Sequence, residues 1–560
     1  MKRGVLIALL VIVILFVFVI LAAGFIYMQF TQEPVIPDNA YLKINLAGSM
    51  EDFSDSFMTG AITIKDLYYH LNRAKIDPRI KGVIVKISYL STGLAKCADA
   101  GDLLRDFADS GKPVVAYIEA GGIREYFLGS YADQVFTFKG GDLFLRGLAS
   151  EAIFLRSTLS KLGISADMLH IGEYKTAADM FTKDKMTPYH REALQTLLDD
   201  VFDSTLEQIA KNRDIPLEDV KAIFQQSPYS TEAYLKAKLI DGSIYEDEIF
   251  EKLDGTDKTV DFRTYRETTA PIPFTGPQKI AVIFASGEIQ VGNSGGKSLL
   301  NDKTLGSDTL VRQLRAVRKN TSVAAVVLRV DSPGGSALAS EVMRRESELL
   351  AKEKPLVISM ADLAASGGYW ISMSSNKILA SPQTLTGSIG VVSGKFVLKD
   401  MYSKIGLKKE ILKTTEYADI FSDYKKFTPT ERKKIVDMMH TFYNKFITLV
   451  AKNRQMKVEE VDAIARGRVW SGSRALELKL VDQMGGLTDA IAEARNLAKI
   501  PEEEKTGIVI YPKEKSFFEY LMGVVQAKIE NPMAMDISAQ LDKYKKFFPA
   551  LILPYQVNIY

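Results

Sequence analysis

The sequence predicts an α/β protein made of two homologous domains in tandem, set behind one N-terminal membrane-spanning helix. Three observations carry that expectation: an unbroken apolar run at residues 5–23, a long-period internal repeat, and an alternation of strand-like and helix-like segments inside each repeat unit. At 560 residues, 47% apolar and 25% charged, the chain has material for several packed domains, and it is not disordered, collagen-like or a polytopic membrane bundle. Its 71 basic residues face 69 acidic ones, so no surplus charge is available for gripping a polyanion and no nucleic-acid partner is expected. The single cysteine, Cys97, excludes an intrachain disulfide framework and a Cys-based zinc cluster.

The anchor comes first. No charged residue occurs in residues 4–32, and a helix over the apolar run rises about 1.5 Å per residue, enough for the roughly 30 Å hydrocarbon core. A cleavable signal peptide has an apolar stretch of only about 7–15 residues. Lys2 and Arg3 precede the run while Glu33 and Asp38 follow it, which puts the N-terminus in the cytoplasm and the rest of the chain outside.

The repeat fixes the next level. AKNRDIPLEDVKAI, starting at Ala210, recurs 241 residues later as AKNRQMKVEEVDAI, starting at Ala451, and the same offset sets Thr187-Pro188 on Thr428-Pro429. Upstream, KPVVAYI from Lys112 matches KPLVISM from Lys354, and GVIVKIS from Gly82 matches AVVLRVD from Ala325. The expected organisation is an anchor over residues 1–32, a first domain over 33–267, a proline-rich linker over 268–277, a second domain over 278–497 and a C-terminal extension over 498–560. Within the second domain, residues 325–330 read as a strand, 336–354 as a helix and 356–360 as a strand. Thr428-Pro429-Thr430-Glu431 is a capping box that opens a long amphipathic helix reaching about Arg454, with a counterpart opening at Thr187.

Several familiar sites are missing. His70, His170, His190 and His440 show no HExxH or other ligand spacing, so no metal site is proposed. GNSGGK at 292–297 lacks P-loop spacing, no GxSxG elbow occurs, and the SxxK match at 422–425 has no KTG partner.

Two segments of the second half stand out instead. DSPGGS at 331–336 follows a strand and opens a helix; its glycines suit an oxyanion-binding turn, or simply a tight connection. AASGGYW at 364–370 offers an accessible serine hydroxyl with an unobstructed N–H after it, or small residues for close helix packing. The first half carries SYLSTG at 88–93 and Ile123, Arg124 and Glu125 in the corresponding places, a loss in one copy that favours a site in the other. A serine needs a base, and no histidine is suitably spaced. Lys175 in the first half lies among small and apolar residues, with Glu416 opposite it in the second; it is either a base of lowered pKa or a solvated side chain.

DSPGGS, AASGGYW, TLTGSIG at 384–390 and GEYKTAADMF at 172–181, so placed on a duplicated chain behind an anchor, resemble the long form of the bacterial signal peptide peptidase A (protease IV) family. The likeness covers essentially the whole chain. It implies a Clp-protease/crotonase-like fold in each half and a serine endopeptidase with a Ser–Lys dyad: Ser366 as nucleophile, Lys175 as general base, and Ser388 helping to hold the lysine. Backbone N–H groups of Gly367 and of Gly334 or Gly335 would bind the oxyanion. It further implies no metal or organic cofactor, remnant signal peptides and unfolded peptides as substrates, and a homotetramer enclosing a bowl. The enzyme would be single-pass in the bacterial inner membrane with periplasmic domains. The rival expectation is a catalytically silent crotonase-like membrane scaffold; a CoA-dependent crotonase is disfavoured by the extracytoplasmic placement.

Overall fold

The computed structural model describes residues 36–54, 61–253 except 142 and 227–229, 255, 257–269, 276–295, 303–501 and 503–512, with Phe18, Ala550 and Leu551 as isolated positions. The expected anchor, Phe18 apart, and most of the linker and C-terminal extension lie outside these residues. Among the described residues no helix is long and apolar enough to cross a membrane.

The duplication is visible strand by strand. In the first half a wholly parallel sheet runs in the order Gly242–Ile244, Gln134–Phe138, Val114–Ala120, Ile80–Leu90, Ala40–Gly48, Thr259–Asp261. The second half repeats it as Gln483–Met484, Lys377–Ala380, Leu356–Ala365, Val323–Ser332, Lys279–Ser286, Gly507–Tyr511. The last strand lies ten residues beyond the expected domain end at 497. Its ladder with Lys279–Ser286 makes it part of the second sheet, where it takes the place that Thr259–Asp261 holds in the first.

The expected strand at 325–330 is Val323–Ser332, and the helix after it is Ala337–Glu353 with Ser336 as its N-cap. The strand expected at 356–360 continues to Ala365, which carries the chain to Ser366. The two long helices, Pro188–Arg213 and Pro429–Arg454, both start behind a threonine whose side chain accepts an N–H three residues on, and both end on a left-handed residue, Asp214 or Gln455.

The halves share apolar surface. On the second sheet Ile280, Val282, Phe284, Ala325, Val327 and Val357 join the first half's core, while their neighbours Ala281, Ile283, Val326, Leu328 and Ile358 pack into the second half's own core. This period of two is what a strand buried on both faces produces. A further strand, Ser165–Ile171, leaves the first half and pairs antiparallel with Val391–Val397 of the second. No local pattern announced it, and it delivers Lys175.

Candidate active site

Ser366 sits at the end of the strand Leu356–Ala365 and caps the short helix Gly367–Ser372 with φ 56° and ψ −109°, a conformation costly for any residue with a side chain. The strain is held in place. Its N–H donates to Gly387 O at 2.8 Å, and Trp370 N–H donates to its carbonyl at 2.9 Å. Immediately after the neighbouring strand Leu385–Gly387, which runs parallel to Leu363–Ala365, comes Ser388, also at positive φ.

Lys175 follows the inserted strand Ser165–Ile171 and is completely buried. Its Nζ lies 2.8 Å from Ser366 Oγ, 2.9 Å from Ser388 Oγ and 2.9 Å from Ser388 O. Burial pushes the ammonium well below its ordinary value of 10.5, and nothing charged counters that effect. A neutral amine has two N–H donors and one lone pair. Ser388 O and Oγ accept the two donors, which leaves the lone pair for the Ser366 hydroxyl proton.

The glycines of the two motifs meet each other. A Cβ on Gly367 would lie 3.0 Å from Gly334 Cα and 3.2 Å from Gly335 N, and one on Gly368 would lie 2.6 Å from Ser332 O, so this closeness requires glycine. Gly334 and Gly335 have φ of 100° and 146°. The Gly334 N–H donates to Ser332 Oγ at 3.2 Å. Ile289 N–H donates to Gly334 O at 2.7 Å, so alternation along the strand turns the N–H of Gly335 towards the opposite edge. There Ala550–Leu551 pair antiparallel with Gly335–Ser336, and Ala550 pairs with Val392 on the other side. An extended peptide backbone thus fits a slot beside Ser366.

The six residues expected at a site, Ser366, Lys175, Ser388, Gly334, Gly335 and Gly367, therefore come together. The corresponding place in the first half is differently filled. Ile123 is buried, and the Glu125 carboxylate accepts the N–H groups of Leu90 at 2.6 Å and Gly122 at 2.7 Å, supplying its own anion where the second half has glycines. Glu416, the counterpart of Lys175 in sequence, is exposed.

One contributor went unseen in the sequence, the segment Arg466-Gly467-Arg468. Arg466 O accepts the Tyr174 N–H at 3.0 Å, Arg468 O accepts the Ser388 N–H at 2.7 Å, and the Arg468 guanidinium lies over the Tyr174 and Trp470 rings. Gly467, at φ 83°, passes so close to Lys175 that a Cβ there would lie 2.5 Å from the lysine Cβ and N. A lone Gly between two arginines carries no signature of such a crossing.

With this geometry in view, the comparisons with known proteins are consistent. Peptidase family S49 matches residues 106–260 and 348–501. The chloroplastic serine protease SPPA of Arabidopsis thaliana is 34% identical over 479 residues, 84% of this chain and 70% of that protein. Protease 4 of Salmonella typhi is 32% identical over 492 residues, covering 85% and 78% respectively, and Protease 4 of Haemophilus influenzae is 30% identical over 490 residues, covering 82% and 77%. A match over both halves and relatives similar along most of their own length place this chain in peptidase family S49, as a serine endopeptidase.

Proposed function

We propose that the chain degrades signal peptides left in the membrane after preprotein processing, with Ser366 as nucleophile and Lys175 as general base. The observation that carries this reading is the Lys175 amine, supplied by one half, lying 2.8 Å from the Ser366 hydroxyl of the other in a buried setting that favours its neutral form. A substrate strand takes the slot between Gly335–Ser336 and Val391–Val397, in the place of Ala550–Leu551. Lys175 removes the Ser366 proton as Oγ attacks the peptide carbonyl, and the N–H groups of Gly335 and Gly367 receive the oxyanion. With the Gly334 N–H committed to Ser332, Gly335 is the donor on that turn. Collapse returns the proton from Lys175 to the leaving amine, and water, activated by the same lysine, hydrolyses the acyl-enzyme. Ser388 keeps the amine aimed at Ser366 throughout.

The named substrate is supported by a relative, the putative signal peptide peptidase SppA of Enterococcus faecium, 31% identical over 226 residues, 40% of this chain and 65% of that protein. The anchor over residues 1–32, a Clp-protease/crotonase-like fold in each half, a periplasmic orientation and a homotetramer around a bowl-shaped chamber complete the reading. The decisive experiment incubates the full chain in vesicles with a synthetic signal peptide and a folded protein, alongside Ser366→Ala and Lys175→Ala. Cleavage of the peptide alone, lost in both variants, is expected. Full activity in either variant overturns the dyad, and no labelling by a serine-directed probe would return the silent scaffold. Sedimentation of the detergent-solubilised chain tests the tetramer, which an active monomer would remove.

A further inference from the structure

The strands that carry the Gly334–Gly335 turn and Ser366 run in register up to Val330 and Met360, and resume only at Ser332 and Ala364. Between those points one residue, Asp331, faces three, residues 361–363. The irregularity offsets the two strands by two residues just before the turn and the nucleophile, and it takes backbone groups out of the ladder. Asp331 repairs part of this loss, since its Oδ1 accepts the Leu363 N–H at 3.2 Å. Its other oxygen accepts from Lys96 Nζ at 2.6 Å.

Lys96 belongs to the first half, on the helix Leu94–Ala108, and is almost fully buried. Its ammonium lies 3.5 Å from Asp362 and 3.9 Å from Asp52 as well as beside Asp331. Burial pushes its pKa down, but the three carboxylates outweigh that effect and hold it charged. Asp362, four residues before Ser366, also accepts the N–H groups of Gly93 at 3.1 Å and Lys96 at 3.0 Å, so it caps a first-half helix whose own N-cap has no side chain. The carboxylate that starts the turn and the one that precedes the nucleophile are thus both tied to a single residue of the other half. In the first half, Ser88 stands in the place of Asp331.

We propose that Lys96 is a positioning residue for the reaction: an ammonium that binds Asp331 to Asp362 and so sets the separation between the oxyanion-binding turn and Ser366. It rests on the reading of that turn given above. The first half then supplies two lysines with opposite roles, a buried neutral base and a buried permanent cation.

The test measures kcat and KM for a peptide substrate, the inhibition constant of the matching peptide aldehyde, and thermal unfolding, for the full chain and for Lys96→Met, Lys96→Arg, Asp331→Asn and the Lys96→Met/Asp331→Asn double variant. Lys96→Met should lower kcat by about 10- to 100-fold while KM changes by less than about threefold, as expected for displacement of a positioned group. Aldehyde affinity should fall in step with kcat/KM, because the aldehyde adduct uses the same oxyanion donors. Lys96→Arg should recover most of the activity, and the double variant should be no worse than the worse single one. A folded Lys96→Met enzyme with wild-type kcat, or one whose folded fraction binds the aldehyde normally, overturns the proposal. Should Lys96→Met fail to fold, Asp331→Asn decides, and wild-type kcat and aldehyde affinity there overturn it equally. Ser366→Ala is run in parallel: activity surviving in it refutes the assignment of the site, whereas a wild-type Lys96→Met beside a dead Ser366→Ala refutes only the role of Lys96.

Discussion

Gly467→Ala tests whether the active lysine is seated by a backbone crossing. The substitution has two separable costs. A side chain at φ 83° costs about 1–2 kcal/mol of folding stability, because a left-handed residue crowds its Cβ against the following carbonyl. The new Cβ would also stand 2.5 Å from the Cβ and N of Lys175, against a comfortable carbon–carbon separation of about 3.5–4.0 Å. These are backbone-linked atoms that cannot swing aside, so Lys175 must move by about 1 Å. A displacement of that size at a reacting group costs about 100-fold in rate, or about 2.7 kcal/mol of barrier. The assay is hydrolysis of a fluorogenic peptide from pH 6 to 10, with unfolding followed in parallel. The expected result is a fall in kcat with little change in KM. Gly406→Ala is the control, because Gly406 has a similar φ of 77° with nothing within 4 Å of its would-be Cβ: it bears the backbone strain alone and should stay active. Wild-type kcat in Gly467→Ala, or an equal loss in Gly406→Ala, refutes the seating argument.

Lys175→Ala and Ser366→Ala should each reduce kcat/KM by at least about 100-fold, and the double variant should be no worse than the more damaged single one; additive losses would show that the two do not act as a unit. Ser388→Ala should be milder, since one of the two acceptors that orient the amine is its backbone carbonyl, which survives. Lys175→Met should raise the stability of the protein at neutral pH. The folded-state pKa is lowered, so below the ordinary value of 10.5 the unfolded chain binds the extra proton, and stability of the native enzyme rises with pH while the advantage of the methionine variant shrinks; an advantage that grows with pH contradicts this. The same lowered pKa sets an ascending limb of kcat/KM below about pH 10.5, and its survival in residual Lys175→Ala activity would assign it elsewhere. Ile123→Ser should yield no second labelled serine, because Glu125 already fills the neighbouring N–H groups and the counterpart of Lys175 is an exposed carboxylate, Glu416.

What was legible in the sequence was whatever has a local cause. Thr187 and Thr428 announce the two long helices because capping is written into four consecutive residues, and the duplication is announced by segments that recur about 241 residues apart. Ser366 and its glycines stood out because the first half has lost them, with Ile123, Arg124 and Glu125 in the corresponding places. The unread parts are relations between distant segments. Ser165–Ile171 looks like any short strand, and only its partner Val391–Val397 explains how Lys175 reaches Ser366. Gly467, Lys96 and Asp362 act through a neighbour on the other half, so nothing beside them in the sequence reveals it. Arg124 and Glu125 were readable as lost glycines, but the Glu125 carboxylate taking the Leu90 and Gly122 N–H groups was not.

The separation of the reacting pair along the chain has a consequence for how the enzyme is made. Lys175 and Ser366 lie 191 residues apart, and Gly467, which seats the lysine, follows a further hundred residues on. Ribosomes deliver these parts in that order, so a growing chain holds an amine without its hydroxyl, then both without the crossing that aligns them. A product that ends before Ser366 lacks the hydroxyl of the proposed dyad, and one that ends before Gly467 lacks the segment that crosses Lys175. On the proposed dyad, then, no fragment of a single half holds both reacting groups, and the pair is complete only after both halves have been made.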